Sequence, residues 1–332
     1  MSSEFVKTKG GVGDFFTKVN LFIQTHTSLM AVVIAIILLI ATFIVNPKSL
    51  NKVFFGNVIL LTIILSIPAA GQTMVLIGGG MDFGVGAVMS ATAILTTYTM
   101  RGQNGKFLMV FVLAMLIGAA VGLLNGICSV KIGLPAMIVT MAIANIVTRL
   151  QYILTDGIMS GSASPALSAT VSYRIFGVIP AIVMYAAIIW PLTFYLLNKS
   201  RFGKQLYMIG NNPVAAKLTG VKVDKVRIIS YVFSGLLAAF AGILGAAYMA
   251  TARCQIFDGY AYDSLIAVII GGTTFAGGSG SYAGSLAGSL VMILLSNLLT
   301  SFNLPSPMRN ILNAVILILL LMLYNRSKSV RQ

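Results

Sequence analysis

The chain is 332 residues long, 58% hydrophobic and only 9% charged, with a formal net charge of +15 and a mean hydropathy of +0.96. So little charge excludes a soluble globular domain. The basic excess does not mark a nucleic-acid binder, because the lysines and arginines fall in short gaps between apolar runs, the pattern of a polytopic membrane protein.

The first 28 residues are polar and mixed, with no short apolar core leading to a small-residue cleavage site, and their His26 reads as a surface residue. Charge-free runs then follow as Leu29–Val45, Val53–Met81 (broken by Pro68 and Gly71), Phe83–Met100, Phe107–Val130, Ile132–Thr148, Ile175–Asn198 and Ile228–Ala252. Ser264–Met308 is free of charge for 45 residues. As one helix it would reach about 68 Å, twice a bilayer, so it must fold back. Gly271-Gly272 with Gly277-Gly278-Ser279-Gly280 is the place for the turn, and Asn310–Asn325 is the last run. The expectation is an all-α protein with about ten membrane spans in a transmembrane domain 29–325, preceded by segment 1–28 and followed by a short tail 326–332.

An even count puts both termini on one side. With them inside, fourteen basic residues lie in inside segments and seven outside, so both termini are expected in the cytoplasm. Much of that bias comes from one loop, 199–227, which holds Lys199, Arg201, Lys204, Lys217, Lys222, Lys225 and Arg227 against a single acid, Asp224. A short helix is expected within it: Asn212 is a good N-cap, Pro213 suits the first helical position, Ala215 and Ala216 favour helix, and Gly220 suits the stop after Lys217-Leu218-Thr219. It reads either as an interfacial helix held on lipid headgroups by its lysines or as a docking element for a cytoplasmic partner.

Val75-Leu76-Ile77-Gly78-Gly79 is echoed by Val268-Ile269-Ile270-Gly271-Gly272 at an offset of 193, with Gly84 and Gly277 in register. Paired glycine interruptions of this kind mark pathways in some transporters, though glycine is common in membrane helices generally. Asp82, between the glycines, reads as a carboxylate at membrane depth with a functional role, or more plainly as the cap of the following helix at the cytoplasmic rim. Gln72, Asn125, Asn145 and Gln151 lie in or beside apolar runs and suit either a polar pathway or hydrogen bonds between helices. Cys128 and Cys254 fall at opposite membrane faces, so no disulfide joins them. No nucleotide-binding loop, nucleophile elbow or zinc-ligand motif occurs, and neither enzymatic activity nor a cofactor is expected.

Three stretches resemble the permease subunits of bacterial ABC importers, in the ribose/galactose/xylose-type branch: Gly79–Gly86; Arg201–Lys204 with Ile209–Val221; and Ile269–Gly280. The resemblance spans essentially the whole chain. It implies an inner-membrane permease that pairs with a second copy or a paralogue, is powered by a cytoplasmic ATPase, and receives solute from a periplasmic or lipid-anchored binding protein. It also implies that Asn212, Pro213, Ala215, Ala216, Lys217 and Gly220 belong to the helix that touches the ATPase. Phe83-Gly84 stands where that branch usually has Leu-Ser. A self-contained secondary transporter or channel is the alternative, and it would need a coupling-ion site built on an intramembrane acid such as Asp82.

Overall fold

A computed structural model describes residues 27–47, 51–157 and 161–302, with isolated residues beyond to Val315. Its helices are α1 (Thr27–Val45), α2 (Lys52–Ile77), α3 (Val85–Met100), α4 (Phe107–Val130), α5 (Ala136–Thr155), α6 (Pro165–Ser172), α7 (Val183–Asn198), α8 (Arg201–Asn211), α9 (Pro213–Leu218), α10 (Val223–Met249), α11 (Tyr260–Ile270) and α12 (Tyr282–Ser301). A two-stranded antiparallel hairpin, β1 (Arg174–Ile175) and β2 (Ile179–Pro180), precedes α7. Five of these helices, α2, α4, α5, α10 and α12, are long and apolar enough to cross a bilayer, and α1, α3, α7 and α11 are shorter apolar helices. The protein is a polytopic all-α membrane protein. The expected last span, the N-terminal segment and the tail lie outside the described residues.

α10 is the centre of the bundle and packs on α4, α3 and α2, while α12 packs on α1, α11 and α2. The α10–α4 contact follows from composition. Gly118, Gly122 and Gly126 recur every fourth residue on α4, so they share a face. A Cβ on any of them would collide with the α10 backbone or with Ala239 at Gly235, Tyr231 or Ile228. Small residues let the two backbones approach closely, which is how helices associate where lipid is as apolar as the side chains. α1 shows the outer edge: Ala31 and Ala35 face inward, while Ile36, Ile37, Ile40 and Ile44 are exposed.

Several boundaries differ from the charge-free runs. α2 ends at Ile77, four residues early, and runs unbroken through Pro68 and Gly71. Around the proline, Trp190 Nε1 donates to Ser66 Oγ (3.1 Å) and Tyr282 Oη to the Ser66 carbonyl (3.1 Å), so neighbouring helices satisfy polar groups close to the gap. Gly71 serves contact instead of a break: a Cβ there would stand 2.6 Å from Ser234 Cα. α10 starts at Val223, not Ile228, because Asp224, Lys225 and Arg227 end an apolar run without ending a helix. The Ile175–Asn198 run is part hairpin, and its helix begins only at Val183. α5 starts at Ala136 and continues past Thr148 to Thr155.

Candidate translocation core and coupling loop

Both glycine pairs end a helix in the same way. Gly78 N–H donates to Met74 O, Gly79 to Leu76 O and Gly80 to Val75 O; at the later site Gly271 donates to Ala267 O, Gly272 to Ile269 O and Thr273 to Val268 O. Each bond is displaced by the same 193 residues as the sequence echo. This double closure needs a left-handed residue just past the helix, and Gly79 (φ 80°) and Gly272 (φ 89°) supply it. The register does not extend to Gly84 and Gly277, since only Gly277 is left-handed (φ 78° against −73° for Gly84).

After the first closure the chain turns back along α2, and Gln72 Nε2 donates to the Asp82 carbonyl at 2.6 Å. Asp82 is buried (2% exposed). Its Oδ1 accepts from Asn125 Nδ2 on α4 (3.1 Å) and the Gly84 N–H (2.9 Å), and its Oδ2 accepts from Ser234 Oγ on α10 (2.7 Å). Phe83 N–H donates to Thr140 Oγ1 on α5 (3.1 Å), and Tyr231 Oη to the Met81 carbonyl (3.3 Å). A cap at the rim is therefore incomplete as a description. Gly84 holds the N-cap position of α3 without a side-chain cap, and the carboxyl is a buried clasp joining the broken segment to α4 and α10. Its oxygens are taken up by protein donors, an arrangement that suits a structural joint better than an ion site.

The second break closes on the first. Gly278 N–H donates to the Ile77 carbonyl at 2.9 Å, and a Cβ on Gly277 would stand 3.1 Å from Gly79 Cα. α8 grips the same loop: Asn211 Nδ2 donates to the Gly278 carbonyl (3.2 Å) and Tyr207 Oη to the Gly280 carbonyl (2.8 Å). Arg227 Nε reaches the Gly78 carbonyl at 2.9 Å. Gly271 packs against Gly284 at the start of α12.

The short helix of the basic loop, α9, forms for the reasons legible in its sequence. Asn212 Oδ1 accepts the Val214 and Ala215 N–H groups (3.0 Å each), Pro213 opens the helix, and Gly220 (φ 84°) turns the chain away. Ala216 is buried in the protein's own core with Leu206, Ile209 and Val226, where it anchors α9. The outward face is Val214, Ala215, Lys217 and Leu218.

Asn145 stands apart from the Asp82 cluster, exposed on α5, where its Nδ2 donates to the Met141 carbonyl. Gln151 ties α5 to α3 through the Ala87 carbonyl (3.1 Å). The sequence reading passed over Ser234, Thr140, Tyr231, Tyr207 and Asn211. Ser234, Thr140 and Tyr231 are small hydroxyls and a tyrosine inside apolar runs with no pattern that sets them apart, while Tyr207, Asn211 and Arg227 belong to the basic loop 199–227, whose sequence does not show what they reach.

Residues 54–321 match the family described as the branched-chain amino acid transport system / permease component. Among curated proteins the chain is 29% identical to the ribose import permease protein of Escherichia coli strain K12, over 95% of this chain and 97% of the relative. It is 30% identical to that of Bacillus subtilis strain 168 (88% and 91%), and 31% identical to the galactose/methyl galactoside import permease protein of Haemophilus influenzae (77% and 81%). No solved structure matches.

Proposed function

The chain belongs to the permease-component family of these transport systems; it is the membrane subunit of an ABC importer whose ATPase is a separate subunit, and we propose that its cargo is a monosaccharide. The observation that carries this reading is near end-to-end similarity to permeases named for ribose and for galactose, joined by one named for fructose in Bifidobacterium longum, 28% identical over 90% of this chain. A thermal-shift series on the partner binding protein with ribose, galactose and fructose tests it. One sugar raising the unfolding midpoint supports the reading, and no shift with any of them refutes it.

Two copies, or this chain and a paralogue, enclose the path, with both termini in the cytoplasm. α9 seats on the ATPase through Val214, Ala215, Lys217 and Leu218. The hydrogen bonds supply a contiguous route for its movement: α9 is fixed on α8 by Asn212 and Ala216, α8 holds the second glycine break through Tyr207 and Asn211, and that break caps α2 beside Asp82. Rigid elements joined at glycine hinges shift as units, so a displacement of α9 reaches the broken helices without unfolding the loop.

A further inference from the structure

We propose that the cleft between α3, α5 and α11 is the subsite where a monosaccharide in transit touches this subunit, an inference that rests on the sugar reading above. The cleft measures about 190 Å³ and is lined by Phe83, Asn145, Thr148, Asp258 and Tyr262, among others. That volume lies below the range typical of drug-sized ligands and holds about six waters at roughly 30 Å³ each, a space suited to one sugar ring.

The first argument is polarity at depth. Asn145 is the tenth of the twenty residues of α5, a helix long and apolar enough to span the bilayer, and its side chain is exposed, as is that of Arg149 one turn later. A carboxamide and a guanidinium on one face of a spanning helix belong to a wet cavity or a protein contact, not to hydrocarbon. The second is an unused hydroxyl. Thr148 is 5% exposed and lines the cleft, yet its hydroxyl has no hydrogen-bond partner among the described residues. The oxygen is not among the fully enclosed polar atoms, so it opens onto the cleft and is available to water or to a ligand.

The third argument is construction. Asp258 lies in the connection between α10 and α11. Ser90 Oγ accepts the Phe257 N–H (3.0 Å) and donates to Asp258 Oδ1 (3.4 Å). A Cβ on Gly86 would stand 2.7 Å from the carbonyl oxygens of Phe257 and Asp258, so the missing side chain lets this segment sit on α3. Phe257 is buried and meets Tyr260 edge-on at 5.3 Å. The carboxylate is thus held at the cleft on a fixed support. In the same lining, the Phe83 and Tyr262 rings meet at 5.7 Å and 60°. Aromatic faces accept the C–H surface of a sugar, while the Asp258 carboxylate, the Asn145 amide oxygen and the Thr148 hydroxyl take its O–H groups.

The test is uptake of radiolabelled ribose, galactose and fructose by the complete importer in proteoliposomes, alongside its ATP hydrolysis stimulated by the binding protein. Asp258→Asn is expected to lower uptake of the transported sugar about tenfold and Thr148→Val about fivefold, the sizes expected for one charged and one neutral hydrogen bond. Thr148→Ser restores the hydroxyl and is expected to retain uptake; Lys106→Ala, in a loop, is the unaffected control. Stimulated ATP hydrolysis within twofold of the unsubstituted importer separates a lost sugar contact from a lost fold. If Asp258→Asn and Thr148→Val both keep uptake within twofold, the cleft is overturned while the sugar reading stands. If the unsubstituted importer takes up none of the three sugars, the sugar reading fails, and the ligand class assigned to the cleft with it.

Discussion

Leu218 and Val214 form the outward apolar edge of α9, at 84% and 68% exposure. They are four residues apart, so a partner groove meets both at once. Burying a leucine side chain contributes about 1.5–3 kcal/mol. Because most of Leu218 is still exposed, nearly all of that gain remains for the partner, and Leu218→Ala is expected to cost about 2 kcal/mol, roughly 30-fold in affinity for the ATPase. The substitution removes no internal contact of note, so the thermal midpoint of the permease alone should not change. Ala216→Glu is the opposite case: at 2% exposure it places a charge in the core under α9 and should lower permease stability first. The assay is capture of the purified ATPase by immobilised permease in detergent, beside a thermal scan of each variant. ATPase capture by Leu218→Ala within twofold of the unsubstituted chain would refute the docking face. Loss of capture by Ala216→Glu with unchanged stability would make Ala216 a contact residue.

Ser234→Ala removes one donor to the buried Asp82 carboxyl and should cost about 1.5–3 kcal/mol, read as a lower thermal midpoint; an unchanged midpoint would show that the clasp is not structural. Gly79→Ala and Gly272→Ala each force a side chain into the left-handed region at about 1–2 kcal/mol, so both should lower uptake or stability by similar amounts, and a large asymmetry would break the parallel between the two closures. Burial holds the Asp258 carboxyl above the usual carboxylate range. The folded protein therefore binds that proton more tightly than the unfolded chain, and the ionised group opposes folding once the pH passes the raised value. Asp258→Asn should accordingly be more stable than the unsubstituted protein at pH 8, with the advantage shrinking towards pH 4; a deficit at pH 8 would contradict the sign.

The class of the fold was legible because membrane insertion writes itself into composition, and α9 was legible because caps are local chemistry: Asn212, Pro213 and Gly220 each act within a few residues. The glycine closures were legible as a repeat for the same reason, since the hydrogen bonds run no further than five residues. What the sequence could not show were distances across the bundle. Asp82 becomes a clasp only because Asn125 and Ser234 arrive from helices 43 and 152 residues away. Ala216 faces inward because α8 and α10 approach it, a fact absent from its own neighbourhood. Charge-free runs misplaced the start of α10 because solvent, not helix geometry, decides where charges stop. They also overran α2 at Met81, because Gly78–Gly80 are as uncharged as the helix they end.

The most direct test of the account is uptake of labelled monosaccharide into proteoliposomes holding the permease, its ATPase and the binding protein, with and without ATP on the ATPase side. The account predicts accumulation that requires ATP and stops when the ATPase is omitted. Uptake at the same rate without ATP, following an ion gradient or the sugar gradient alone, would contradict it and leave the chain a self-contained transporter or channel.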